Sequence, residues 1–531
     1  MSHWIIAPVI LPALLAPLIA YVMRYDIVLA RAASFAGTLV LAAIALGLCL
    51  LAADGQTHVY ELGDWPAPFG IVLVLDRLSA MLVLVTAVLA LIALGHAAAT
   101  GWDTRGRHFH ALFQFQIMGI CGAFLTGDVF NLFVFFEVLL IASYGLMIHG
   151  GGKVRLQAGL QYVVMNLAGS TLFLIALGTI YAATGTLNIA DLAVKVREIP
   201  LEDAALIRVA AMLLMIVFAI KAALFPIQFW LPATYANAPA PVAALFAIMT
   251  KVGAYAIIRI HAMIFGPDVV ATDGLTGFWL FPAAAVTLAI GAFGVLGARR
   301  LMPMLAFAVV ASMGTMMLAV AAFTPWATTA ALYYLIHSTF AAAALFLLAD
   351  LVVSHRPEGD RLDPAPATVQ NGLFAALFFA GAVAMAGMPP LSGFLGKLMI
   401  LDALRDPGLM ALGWTAVLAG SLLVIVGLAR AGSVLFWRST AVAAHVPADD
   451  DEARPEARPA SLAQIAPTVA ALAITALLAG FAGPVTAYLE ASSGQLFDAG
   501  DYIAAVLGVQ EVPEVPQPEP DATEEPAQEE G

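Results

Sequence analysis

Stretches of about 20 apolar residues recur along almost the whole chain, near 4–23, 32–53, 78–98, 109–126, 129–148, 160–181, 208–231, 240–264, 276–297, 301–320, 328–351, 370–401, 411–436 and 464–488. Each is long enough for a helix to cross a hydrocarbon layer of roughly 30 Å. With no water in that layer, backbone N–H and C=O groups must pair within the segment, so a chain of this pattern folds as a bundle of membrane-crossing helices. The pattern predicts an all-α polytopic membrane protein with about 14 transmembrane helices. Composition agrees: of 531 residues, 62% are hydrophobic and 11% charged, where soluble domains are roughly a quarter charged. Residues 1–23 lack the basic leader and small-residue cleavage site of a signal peptide and are expected to stay as the first helix.

Several chemistries find no foothold. Cys49 and Cys121 lie far apart in apolar stretches, with no CxxC and no clustered histidines, so neither a disulfide framework nor a metal site is predicted. No phosphate-cradling glycine loop, serine elbow or redox-cofactor motif is present, and no catalytic residue, bound cofactor or nucleic-acid partner is expected.

Basic loops set the orientation. Arg24, Arg31, Arg105, Arg107, Lys153, Arg155, Arg299, Arg300, Arg356, Arg361, Arg438, Arg454 and Arg458 fall on one side of a fourteen-span arrangement, which is 13 of the 23 Lys and Arg. Arg77, Lys195, Arg197, Arg208 and Arg405 fall on or near the other. The positive-inside rule then places both termini and the 54–76 loop outside the cytoplasm. Residues 489–531, which end in EVPEVPQPEPDATEEPAQEEG, read as an acidic, disordered external tail. The polar stretch 445–460 reads as a cytoplasmic linker ahead of the last span.

Within the spans stand charges that hydrocarbon would reject. Glu137 lies in FNLFVFFEVLLIASYGLM, Lys221 opens KAALFPIQFWLP, Lys251 lies in AALFAIMTKVGAYAIIRI and Lys397 closes GMPPLSGFLGK. Each would cost several kcal/mol against lipid even by lenient insertion scales, on the order of 3 kcal/mol, so together they predict a buried polar axis. His337, in YYLIHSTFAAAALF, is a satisfied core histidine or a further protonatable station. Glu137 can instead be a structural partner for a lysine, and Lys397 can snorkel to a membrane face; Arg259 and Arg430, nearer span ends, read as structural. A buried lysine sheds its proton when desolvated or approached by another cation, and a buried glutamate retains one, so a Glu–Lys pair can couple proton affinity to local charge.

Prolines interrupt two of these spans. Pro226 follows Lys221, and Pro389 with Pro390 precedes Lys397; each removes a backbone donor and breaks its helix beside a lysine. Broken helices at related places in two halves of a chain are the expected sign of an internal repeat around a midplane site.

The stretches LTGDVFNLFVFFEVLLIASYGLM, KAALFPIQFWLP, ALFAIMTKVGAYAIIR and GMPPLSGFLGK resemble the proton-translocating family that includes the large membrane subunits of respiratory complex I and subunits of multisubunit sodium/proton antiporters. With AGLQYVVMNLAGS and DYIAAVLG, the chain is most similar to the D-subunit of the Mrp-type multisubunit cation/proton antiporters. The resemblance implies N-terminal helices over 1–108, two inverted five-helix repeats over 109–264 and 276–440, and interrupted helices 7 and 12. A linker and helix 14 follow over 441–488. It also implies a hydrated axis running from Glu137 through Lys221, Lys251 and His337 to Lys397. Ala342, Gln228 and Ala233 stand where relatives carry titratable side chains, leaving Ser338, Thr339, Tyr333 or water to bridge the gap. The implied function is ion translocation in a bacterial cell membrane, exchanging a monovalent cation, Na+ first, for protons together with other antiporter subunits. The alternative is a proton-pumping membrane subunit of an NADH-quinone oxidoreductase or membrane hydrogenase.

Overall fold

The computed structural model describes residues 3–442 and 459–508. Two helices, α1 (His3–Tyr21) and α2 (Ile27–Ala52), lead into an antiparallel hairpin of β1 (His58–Glu61) and β2 (Val72–Leu75), with Val59 opposite Val74. Then come α3 (Arg77–Thr100), α4 (Phe109–Leu125), α5 (Val129–Met147), α6 (Lys153–Thr184), the short α7 (Ile189–Arg197), α8 (Ala205–Lys221), α9 (Trp230–Asn237) and α10 (Ala240–Met263). A second series follows: α11 (Leu275–Gly297), α12 (Leu301–Val320), α13 (Pro325–Ser354), α14 (Asn371–Ala386), α15 (Ser392–Ala403) and α16 (Pro407–Gly432). The chain closes with α17 (Leu462–Gly480), α18 (Ala482–Phe497) and α19 (Gly500–Leu507). Among the described residues 11 helices are long and apolar enough to cross a membrane. The fold is an all-α polytopic membrane protein apart from the one hairpin.

Short polar residues start the helices where the chain leaves its loops. Asp26 accepts from the amides of Val28 and Leu29 at the head of α2, Asp128 from that of Asn131 at the head of α5, and Asp406 from that of Gly408 at the head of α16. Asp76 and Ser79 form a reciprocal capping box on α3. Each cap satisfies amide donors that the first helical turn leaves free.

Burial sorts the helices into a core and a lipid-facing shell. Every residue of α10 is buried, and α13 is buried over almost its whole length. In contrast α1, α2, α6 and α16 turn Leu14, Leu39, Leu160 and Leu422 outward, as helices bathed by acyl chains do. Small residues permit close approach: a side chain on Gly253 would come within 2.6 Å of the Ala222 amide and 2.8 Å of the Lys221 carbonyl carbon. The central α10 therefore lies directly against the end of α8.

Within the apolar stretches 208–231 and 370–401, α8 ends at Lys221 and α14 at Ala386, each with a non-helical segment holding the prolines before the next helix. The sequence reading needs two corrections here. The region from 489 is not uniformly a disordered tail, because α18 continues to Phe497 and α19 follows, burying Leu489, Leu496, Tyr502, Ile503 and Val506. Acidic composition misled there: in α19 the only acid of the helix is at its N-terminal turn, while Tyr502, Ile503 and Val506 form an apolar face. Finally, the hairpin pairs residues that the all-α expectation left as loop. The rest of the tail, 509–531, and most of the expected linker, 443–458, lie outside the described residues.

Candidate functional site

Both helix breaks leave backbone groups without their helical partners, and side chains collect them. After α8, the indole of Trp230 donates to the Ile220 carbonyl at 3.0 Å and the hydroxyl of Thr287 accepts from the Phe225 amide at 2.8 Å. Pro226 sits between these contacts, unable to donate. After α14, Gly387 takes a left-handed conformation with φ of 76°. The Lys397 ammonium then donates to the Ala386 carbonyl at 2.8 Å, across the segment holding Pro389 and Pro390. Irregular backbone at membrane depth is tolerated where protein groups satisfy it in this way.

The first lysine is tied to the glutamate through α6. The hydroxyl of Ser170 donates to Glu137 Oε1, and Lys221 Nζ reaches the same hydroxyl at 3.5 Å. Lys221 also donates to the carbonyl and side-chain oxygens of Asn166, both at 3.3 Å, and lies 5.9 Å from the centre of the Phe136 ring. Asn166 is held by its amide, which donates to the Tyr162 carbonyl at 2.9 Å. Glu137 and Lys221 are thus linked by one hydroxyl, a geometry in which a small proton or charge displacement at either end is felt at the other.

Lys251 is different. It is fully buried in the middle of α10, and its ammonium has no hydrogen-bond partner among the described residues. Two residues on, Gly253 touches the backbone of Lys221 and Ala222, on a face of α10 that residues two apart do not share. An ionised side chain held this way costs several kcal/mol, roughly 3–5 kcal/mol when a buried charge lacks its counterpart.

In the second half, His337 Nδ1 and the Ser392 hydroxyl are 2.8 Å apart. A side chain on Gly393 would come 2.7 Å from His337 Nε2, so the imidazole lies against the first turn of α15. One turn later Lys397 donates to Ser421 of α16 at 2.8 Å. It does not snorkel: only 8% of its surface is exposed. Beside it Ser312, Thr315 and Tyr334 line a cavity with room for about one water molecule.

These side chains stand on an unbroken series of packed helices, α5 on α6, α6 on α8, α8 on α10, α10 on α13, α13 on α15 and α15 on α16. The structure joins Glu137 to Lys221, and His337 to the turn carrying Lys397; it gives Lys251 no direct hydrogen bond to either group. Among the described residues no hydrogen bond joins Tyr333, Ser338 or Thr339 to these charged groups. Tyr333 donates to the Leu478 carbonyl, and Ser338 and Thr339 both donate to that of Leu335, because hydroxyls on a helix readily turn back to the preceding turn. The residues overlooked from sequence are neutral: Asn166, Ser170, Ser392 and Ser421. The i, i+4 spacing of Asn166 and Ser170 in AGLQYVVMNLAGS was the available signal.

Arg259, read as structural, is so in a strong sense. Its guanidinium binds Asp76 twice, at 2.5 and 2.9 Å, with both side chains 4% exposed. Tyr255 stands beside it, accepting from Arg259 Nε at 3.2 Å and donating to the Phe124 carbonyl at 2.9 Å. This pair fixes the end of α10 to the start of α3.

Known proteins share this arrangement of chain. Residues 126–426 match the family described as NADH:quinone oxidoreductase/Mrp antiporter, TM. The D-subunit of a probable K(+)/H(+) antiporter of Rhizobium meliloti is 39% identical, over 93% of this chain and 96% of that protein. The D-subunit of a Na(+)/H(+) antiporter of Bacillus subtilis is 35% identical, over 96% of this chain and 100% of its own length. A chain of the Mrp complex from Dietzia sp. DQ12-45-1b superposes with a TM-score of 0.85 at 31% identity, covering 96% of this chain and 100% of that one. On the matched span, near-complete coverage in both directions and the shared fold, the chain belongs to the D-subunit family of Mrp-type Na+(K+)/H+ antiporters, which is related to the antiporter-like membrane subunits of complex I.

Proposed function

We propose that this protein is the ion-translocating subunit of a multisubunit monovalent cation/proton antiporter in a bacterial membrane, and that Glu137, Lys221, Lys251, His337 and Lys397 form its path. The observation that carries this reading is the link from Glu137 through Ser170 to Lys221 at the first helix break. Relatives bear names with K(+) and with Na(+), so the exchanged ion is assigned as a monovalent cation of this class. Binding or release of the cation near one end shifts the stability of the charged lysines, and protons move in compensation. The protein's part is electrostatic: it holds charges in low dielectric, where each is felt by the next.

Fourteen crossings follow when α8 with α9 counts as interrupted helix 7 and α14 with α15 as interrupted helix 12. The repeats then run over 109–264 and 276–440. Their support is a matched contact: Gly119 and Gly122 of α4 lie against Leu139 and Phe135, while Gly291 and Gly294 of α11 lie against Ala311 and Phe307, at the same chain separations. In that register Val309 stands where Glu137 does, so the second half holds its lysine by Ser421 and a carbonyl, without a carboxylate. The asymmetry of the basic loops supports N and C termini outside the cytoplasm.

The assembled complex in vesicles, with an imposed proton gradient and no electron donor or quinone, tests the function. Adding Na+ or K+ should collapse the gradient. Flux that appears only with a reductant and quinone would instead identify a redox-driven pump.

At the second break, Lys397→Ala should slow exchange about tenfold or more, and Lys397→Arg should slow it less. Arginine keeps the charge that satisfies the Ala386 carbonyl but cannot give up a proton. If both variants exchange ions at the wild-type rate in vesicles, the path does not use Lys397.

A further inference from the structure

Where α1 meets α2 and the turn into α4, a cavity of about 320 Å3 opens at the end of the helices. Its walls are of two kinds. Ile19, Ala20, Met23 and Ala30 of the α1–α2 corner supply apolar lining, and Arg24, Arg107 and His108 supply basic and polar lining. We propose that this cavity binds the phosphate headgroup of an anionic phospholipid, with an acyl chain running down the α1–α2 surface.

Both arginines are free to take an anion. Arg24 is exposed and, among the described residues, its guanidinium interacts with the neighbouring Tyr25 alone, by hydroxyl and by ring face at 4.4 Å. Arg107 is exposed and has no hydrogen bond or ion pair among the described residues. The acid that lines the cavity is already engaged. Asp103 accepts from Arg31 at 2.8 and 2.9 Å and meets His110 at 3.1 Å. Burial pushes its carboxyl up, but the hydrogen bonds from His110 and Arg31 and their charges hold it below its ordinary value. The cavity therefore presents two unpaired positive charges with no competing carboxylate.

The backbone adds to this. His108, at the N-cap of α4, holds a left-handed conformation with φ of 66° and gives no side-chain cap to the helix. Histidine is among the non-glycine residues that adopt this conformation, and Arg107 and the uncapped end of α4 line the same cavity. A helix N-terminus favours an anion there. The apolar wall decides which anion. Outside it Leu14, Leu18 and Val28 are exposed on the bilayer-facing surface, so a ligand with a phosphate and a hydrocarbon chain satisfies both halves, as basic pockets between membrane helices do for anionic lipids. This inference rests on α1 and α2 lying in the bilayer and is independent of the transport path.

The test is native mass spectrometry of the purified complex titrated with dioleoyl-phosphatidylglycerol, using dioleoyl-phosphatidylcholine and inorganic phosphate as comparisons. Wild type should retain one phosphatidylglycerol that Arg24→Gln/Arg107→Gln binds about 25-fold more weakly, each arginine near the surface supplying roughly fivefold. Lys153→Gln, at another exposed basic site, should bind as wild type. Equal retention by wild type and the double variant, or equal retention of phosphatidylcholine, would overturn the proposal. Displacement by millimolar inorganic phosphate would also overturn it, in favour of a free-anion site. Should the double variant fail to assemble, a phosphatidylglycerol with a photoreactive acyl chain on wild type decides: labelling within residues 19–30 is expected, and labelling confined elsewhere contradicts the assignment.

Discussion

Glu137→Ala and Lys221→Ala should each lower cation-driven proton exchange by the assembled complex at least about a hundredfold, corresponding to roughly 2.7 kcal/mol at 1.36 kcal/mol per decade. The two groups share the Ser170 hydroxyl. Removing the carboxylate leaves Lys221 with only the neutral oxygens of Asn166 and Ser170, and removing the ammonium leaves Glu137 with the hydroxyl alone. Losing the carboxylate strands the buried Lys221 ammonium, losing the ammonium leaves the half-buried Glu137 without its charged neighbour, and either change removes a group that the proposed path uses. Glu137→Asp should retain part of the rate, because the charge survives and only its reach to Ser170 changes. The measurement is dye-reported collapse of a proton gradient in vesicles, normalised to complex of unchanged subunit composition. Wild-type exchange by a well-assembled Glu137→Ala complex would remove the carboxylate from the mechanism.

A large effect of another kind is expected at the end of α10. Asp76→Ala should destabilise the protein by about 3–5 kcal/mol, because Arg259 is left buried and unpaired. The loss also removes the cap on α3, worth about 1 kcal/mol by itself. Since the harm lies in the stranded charge, Asp76→Leu/Arg259→Leu should recover much of the stability that Asp76→Leu alone loses. Thermal unfolding of the purified complex in detergent checks this; a double variant as unstable as the single one would mean that packing at Asp76, not its charge, holds α10 to α3.

The charges assigned to the proposed axis stood out in the sequence because Glu137, Lys221, Lys251 and Lys397 each interrupt a long apolar run, where a charge demands a reason. Pro226, Pro389 and Pro390 likewise marked both breaks, since proline's missing donor acts locally. Asn166, Ser170, Ser392 and Ser421 were not legible: neutral and small, they are ordinary in membrane helices, and their importance comes from what a distant segment brings beside them. Asp76 was hidden for the same reason. A carboxylate at the head of a span looks like any interfacial charge, and its partner Arg259 lies 183 residues away. In α18 and α19 composition pointed the wrong way, because acids in the surrounding region masked a short amphipathic face. The break between α8 and α9 was foreseen, but that Trp230 and Thr287 would satisfy its backbone could be known only from tertiary structure.

In the proposed path Lys251 is the member between the Glu137–Lys221 link and the His337–Lys397 group, buried and hydrogen-bonded to neither. Lys251→Met keeps an unbranched stem of nearly the same length and removes the ammonium with its proton. Reconstituted with its partner subunits under an imposed proton gradient, this variant should show no cation-induced collapse of the gradient, while wild type collapses it. Collapse at the wild-type rate by an intact Lys251→Met complex would contradict a continuous buried axis from Glu137 to Lys397.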